Sequence, residues 1–356
     1  RDTDRSRGLG DVYKRQTMMF SMGTSVFAED TIPTVDKNGQ VSITKDFVMA
    51  EGIDTPASTF KFTATSTTKG APEATIENIT FSETDKETPV DGIKTVSKNS
   101  NISFGTFPHA GEYVYTVTET KESATGVEYS EDTYTLRVYV KNGDSGLEIR
   151  NMTAEKGTSD GTEGNKVSEM KFTNTYRKNA PLEITKVTTG ELADKTKDFE
   201  FTITIIPSKT EKNQTVVYTG KIGNEEVTVN ANQENTFQLH DGETLKFDSL
   251  PAGTRYVVTE TGANDGYTPS VTVIENGTET VKKKADSEAE GISSVNEQKT
   301  NLVGEKDNKV TFTNTYKNIP LTGIFMNNLP FVIVIGIAVL ALGTLAVLKK
   351  QKNARQ

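Results

Sequence analysis

The same three sequence blocks occur twice, in the same order, about 140 residues apart. VSITK (Val41 to Lys45) returns as LEITK (Leu182 to Lys186). YTVTET (Tyr115 to Thr120) returns as YVVTET (Tyr256 to Thr261), each with Ala-Gly a few residues upstream. KFTNTYRKN (Lys171 to Asn179) returns as TFTNTYKN (Thr311 to Asn318). A chain built this way must make one unit twice. The repeat predicts one domain over 29–177 and a second over 180–317, joined end to end by a short linker, Asn179-Ala180-Pro181.

Each copy reads as all-β. Segments 59–65, 113–118, 134–140, 200–206 and 216–220 alternate or are rich in β-branched and aromatic residues. Turn pairs such as Asn142-Gly143 and Asn276-Gly277 separate them. Several short strands at this spacing, with no long amphipathic helix, predict two tandem Ig-like β-sandwiches.

The two-residue period of a strand then puts three polar side chains on core faces. Val41, Ile43 and Lys45 share a face, as do Leu182, Ile184 and Lys186. Tyr115, Val117 and Glu119 share one, as do Tyr256, Val258 and Glu260. Met170, Phe172, Asn174 and Tyr176 share one, as do Val310, Phe312, Asn314 and Tyr316. Lys-to-Glu separations are 74 residues in both copies, and Glu-to-Asn separations are 55 and 54. A buried charge costs several kcal/mol unless it is paired. One explanation is a buried Lys–Glu salt bridge beside an Asn. The other is chemical. A neutral Lys amine can attack an Asn carboxamide, release ammonia and leave an amide crosslink. An apolar core disfavours both charged forms of a Lys–Glu pair, so that a neutral Glu can polarise the Asn carbonyl and shuttle the proton. The fold supplies the proximity.

The ends of the chain point outside the cell. Residues 329–348 (LPFVIVIGIAVLALGTLAVL) carry no charge over 20 residues, enough to cross about 30 Å of hydrocarbon as a transmembrane helix. The tail, 349–356, is basic and is placed in the cytoplasm by the positive-inside rule. Just before the apolar run, Ile319-Pro320-Leu321-Thr322-Gly323 resembles the LPXTG sorting signal of Gram-positive wall proteins, with Ile in the first place. That resemblance implies sortase cleavage between Thr322 and Gly323, so that the helix belongs to the precursor only. Residues 17–28 read as the end of a secretion signal cut after Ala28. Residues 1–16 lack Met, mix Asp with Arg, and are expected to be a truncation or assembly artefact replacing the true leader.

The first-strand Lys, the Tyr-x-Val-x-Glu of 115–119 and its counterpart at 256–260, and the Phe-x-Asn-x-Tyr of 172–176 and 312–316 together resemble the streptococcal FctA-type backbone pilins. The resemblance covers nearly all of residues 40–317. It implies that Lys45 joins Asn174 with Glu119 as catalyst, and that Lys186 joins Asn314 with Glu260. It also implies a polymerisation lysine that attacks the sortase acyl intermediate formed at Thr322 of another subunit. The Gly- and acid-rich stretch 155–169 reads as an exposed loop before the last strand of the first domain, which makes Lys166 the first candidate and Lys156 the second. Lys178, in Tyr176-Arg177-Lys178-Asn179, resembles the YPKN pilin motif without its Pro.

The implied partners are pilin and housekeeping sortases, neighbouring pilin subunits, peptidoglycan and a host surface ligand. The expected role is a structural shaft subunit, secreted and wall-anchored. The alternative is a minor pilin or a monomeric wall-anchored adhesin stalk. A formal net charge of −9 argues against nucleic acid. Zero Cys excludes disulfides and thiolate metal sites. The two His, His109 and His240, sit in no metal or triad motif and read as surface residues; no cofactor, metal or multiple-turnover enzyme is expected.

Overall fold

The computed structural model describes residues 41–157, 164–296 and 300–317, together with Thr344. Over 41–317 the described residues hold strands and no helix. The expected leader, sorting signal and basic tail, and the transmembrane segment apart from Thr344, lie outside the described residues.

The architecture is two tandem Ig-like sandwiches, each around its own apolar core. In the first, strand Ser42–Ala50 runs between Ile93–Phe104, antiparallel, and Met170–Tyr176, parallel. Facing it, Gly111–Thr120 pairs with Ser58–Ser66 and Thr133–Gly143. The second repeats the plan. Asn179–Thr189 lies between Thr244–Pro251, antiparallel, and Lys309–Tyr316, parallel, and Phe199–Ile206 pairs with Arg255–Glu260 in the opposing sheet. The first and last strands of each sandwich are therefore parallel neighbours, so the chain enters at one end and leaves at the other.

Alternation drives this arrangement. Gly111–Thr120 buries every second residue, ending on Glu119, and Arg255–Glu260 does the same, ending on Glu260. The buried faces meet through aromatic edges, with Phe47 and Phe60 rings 5.0 Å apart in one core and Phe201 and Phe312 5.1 Å apart in the other. In the first sandwich the short strand Ala74–Ile76 bridges the two sheets into one continuous hydrogen-bonded path, whereas the second keeps sheets of 7 and 5 strands.

Three local expectations are corrected. Asn179-Ala180-Pro181 is not a free linker: it opens the strand Asn179–Thr189, Ala180 is buried, and the ladder shifts register between Ala180 and Leu182. Pro181, lacking an N–H, is accommodated at that irregularity. Only Arg177 and Lys178 remain between strands. The turn expected at Asn142-Gly143 falls at Asp144-Ser145, because both residues continue the ladder opposite Leu147 and Gly146. Asn276-Gly277 does turn, with φ of 50° and 80°. The segment 155–169 is not all loop, since Asn165–Val167 pairs with Ala154–Lys156.

The junction is tight. Gly253 has φ 87°, and a Cβ there would stand 2.4 Å from Ala50 Cβ. Glu305 donates its N–H to the Gly52 carbonyl at 3.0 Å. Lys178 meets Glu305 at 3.1 Å and Lys306 meets Asp54 at 3.2 Å, and Arg255 pairs with Glu51.

Candidate functional site

Each sandwich buries one Lys, one Glu and one Asn against its first and last strands. In the parallel ladder Phe47 stands opposite Asn174 and Thr188 opposite Asn314. Lys45 and Lys186 lie two residues earlier on the same strands, so Lys and Asn project from one face as neighbours. Glu119 and Glu260 arrive from the opposing sheet, in register with Phe62 and Phe201 respectively.

The contacts are direct. Lys45 Nζ lies 2.8 Å from Glu119 Oε1 and 2.9 Å from Oε2. Asn174 Nδ2 donates to Glu119 Oε1 at 2.7 Å. Lys186 Nζ lies 2.8 Å from Glu260 Oε1, which also accepts from Asn314 Nδ2 at 2.5 Å. Lys45, Asn174, Lys186, Glu260 and Asn314 are 0% exposed and Glu119 is 7% exposed. Aromatic rings wall off both amines. Lys45 Nζ lies 4.6 Å from the Phe60 ring centre, and Lys186 Nζ lies 4.1 Å from that of Phe199.

Burial pulls both amines down to about 8 from 10.5, against the neighbouring Glu, which raises them. Each amine thus sits poised between its charged and nucleophilic forms. All six residues singled out from the sequence come together, three in each module. The Phe-x-Phe pairs Phe60/Phe62 and Phe199/Phe201 were not singled out as site walls, although their recurrence on corresponding strands signals the shared role.

The two sites differ in one respect. Asn174 Oδ1 accepts the backbone N–H of Ser130 at 2.7 Å. In the second module Asn314 Oδ1 and Glu260 Oε2 are buried without a hydrogen-bond partner.

The candidate polymerisation lysines are placed as follows. Lys166 is exposed on the short strand Asn165–Val167, opposite Glu155. Lys156 pairs with Asp132 at 2.8 Å. Lys178 is engaged by Glu305 in the junction. His109 is exposed, and half-exposed His240 lies 3.0 Å from Glu243.

The fold and the duplicated cluster define a protein of two tandem Ig-like modules, each with a buried Lys–Glu–Asn set between its first and last strands. Residues 41–177 match the family described as FctA, Spy0128-like isopeptide containing domain, and residues 180–316 match one described as a domain of unknown function, DUF7601. A pilin of Streptococcus pyogenes serotype M1 is 30% identical over 288 residues, covering 78% of this chain and 76% of that protein. The pilus tip adhesin Cpa of Streptococcus pyogenes is 36% identical over 143 residues, covering 40% of this chain and 18% of that protein. The solved major pilin (T3.2) from Streptococcus pyogenes serotype GAS13637 aligns with 23% identity and a TM-score of 0.37, covering 78% of this chain and 98% of that one. The chain belongs to the pilin family, as a structural subunit of the backbone type.

Proposed function

We propose that this chain is a pilus shaft subunit whose two modules each lock themselves with a Lys–Asn amide bond and which sortase joins to its neighbours through Thr322. The observation that carries the proposal is the duplicated, fully buried Lys–Glu–Asn contact between first and last strands. The chemistry balances without any other reactant. The Lys45 amine passes its proton to Glu119, and its lone pair bonds the Asn174 carboxamide carbon while the carbonyl π pair moves onto Oδ1. That pair returns as the C–Nδ2 bond breaks, and Nδ2 leaves as ammonia with a proton relayed by Glu119 from the attacking nitrogen. Lys186, Glu260 and Asn314 act in the same way. One C–N bond forms and one breaks, once per site, so neither Glu supports multiple turnover.

The placement of the bond suits a fibre. Tension enters through the first strand and leaves through the last, so a covalent link between them carries the load in place of the sheet hydrogen bonds. With no Cys in the chain, disulfides cannot do this. In the proposed cycle the precursor is secreted, held transiently in the membrane, and polymerised by a pilin sortase. A housekeeping sortase then transfers it to peptidoglycan on the surface of a Gram-positive cell. Lys166 is the proposed nucleophile for polymerisation, with Lys156 and Lys178 as alternatives; its exposure on a short edge strand that precedes the last strand in sequence supports the choice.

Immunoblots of wall extracts are expected to give a ladder, and tandem mass spectrometry of a digest to show Thr322 joined to Lys166. A junction at a lysine outside residues 156–178 rejects this placement. A single band without any junction moves the protein to the monomeric wall-anchored class. The 143-residue match to a tip adhesin makes the minor-pilin alternative concrete, and the ladder separates the two, since a minor subunit caps rather than repeats.

The reaction should also depend on pH in a defined sense. The reactive pair shares one proton between amine and carboxyl. Burial brings the Lys45 amine down to about 8, and above that the shared proton is lost, leaving Glu119 none to deliver to the departing nitrogen. Crosslinking of newly folded chain, followed by mass, is expected to slow as pH rises from about 7 to about 10. A rate that climbs steadily over this range contradicts the shuttle role.

A further inference from the structure

We infer that the backbone N–H of Ser130 is the oxyanion donor for crosslinking in the first module, and that the second module reacts without such a donor. The inference rests on the crosslinking reaction proposed above and concerns how its transition state is held.

Attack on a carboxamide pushes negative charge onto its oxygen. A donor already aimed at that oxygen stabilises the transition state more than the ground state, in a site where water cannot compensate. Ser130 meets the geometric requirement. Its N–H lies 2.7 Å from Asn174 Oδ1, and the residue is buried. The fold sets this position. Val127–Glu128 pairs antiparallel with the last strand, with Glu128 opposite Thr175, and this draws the following residues alongside Asn174. The Ser130 hydroxyl is used elsewhere, accepting the N–H of Asp132 at 3.2 Å, so the backbone alone faces the amide. The orientation of Asn174 follows, with oxygen toward the N–H and nitrogen toward the Glu119 carboxylate. Carbonyl and leaving group thus have separate partners. As the Lys45 nitrogen bonds to the amide carbon, the carbonyl pair collects on Oδ1 under the Ser130 N–H. It returns when ammonia leaves with the proton relayed by Glu119.

The second module lacks this arrangement. Asn314 Oδ1 is buried with no hydrogen-bond partner. The residue in the place of Ser130 is Ser270 on the neighbouring strand Tyr267–Glu275, where it stands opposite Thr313, and its N–H makes no hydrogen bond to Asn314 Oδ1. Charge developing on Asn314 must wait for the proton held by Glu260.

The test uses full-length chain kept in urea from synthesis, so that it has never folded, and then refolded. Mass and peptide mapping follow each bond separately. In the unmodified chain the Lys45–Asn174 bond is expected to form well ahead of Lys186–Asn314. Ser130→Pro deletes the N–H and should slow the first bond about 10²- to 10³-fold, the usual loss for an oxyanion donor, while leaving the second at its original rate. Ser130→Ala keeps the N–H and should react at the original rate. Equal melting of Glu119→Ala and Glu119→Ala/Ser130→Pro checks that the loop accepts proline. If it does not, the order of the two bonds in the unmodified chain decides. A Ser130→Pro chain that forms its first bond at the original rate overturns the inference, as does a second bond that forms no later than the first. Absence of both bonds in the unmodified chain would instead overturn the crosslinking reaction itself.

Discussion

Glu119→Ala and Glu260→Ala are each expected to abolish one crosslink and leave both sandwiches folded. Each variant should fall short of the mass of its own sequence by one ammonia, about 17 Da, where the parent falls short by two, because without the carboxyl no group takes the amine proton or delivers it to the leaving nitrogen. The stability effect has two parts. The lost bond no longer closes a loop of about 130 residues in the unfolded chain, a restriction equivalent to about 5 kcal/mol by the relation used for disulfides. Removing the carboxylate also strands Lys45 or Lys186 in an apolar core, costing roughly 3–5 kcal/mol if the amine stays charged. Asn174→Ala separates the parts, since it prevents the bond but retains the Lys45–Glu119 pair. Asn174→Ala is expected to lower the melting temperature by on the order of 15–20 °C, and Glu119→Ala to lower it further. Both should become trypsin-sensitive, because local opening no longer leaves the terminal strands tethered. Formation of the bond in Glu119→Ala would show that the carboxyl is not the catalyst.

Much of the fold and of the cluster was legible because two periodicities reinforce one another. A strand's two-residue alternation put Lys45, Glu119 and Asn174 on core faces, and the 140-residue repeat put Lys186, Glu260 and Asn314 on the same faces. One polar residue at the end of an apolar stripe is common, but three that recur at matched spacings are not. The paired Phe residues were equally visible as strand residues. Their role as walls over the amines depends on which strands face each other across the sandwich, and no local pattern states that.

The remainder was illegible for specific physical reasons. Ser130 acts through its N–H, which every residue except proline carries, so its type gives no signal. Pro181 reads as a chain breaker, yet a ladder irregularity absorbs it and the strand begins ahead of it. Asn142-Gly143 has turn chemistry, but the ladder to the following strand extends through both residues and closes two positions later. The Gly-rich stretch before the last strand reads as loop by composition, while a free edge on Gly146–Lys156 recruits Asn165–Val167 as a short partner.

Intact-mass spectrometry of the folded ectodomain, residues 29–318, tests the central claim most directly. Two amide bonds formed with loss of two ammonia molecules predict a mass about 34 Da below that of the sequence, with the deficit mapping to Lys45–Asn174 and Lys186–Asn314. An ectodomain at the full mass of its sequence would contradict the account and leave both clusters as buried salt bridges beside an Asn.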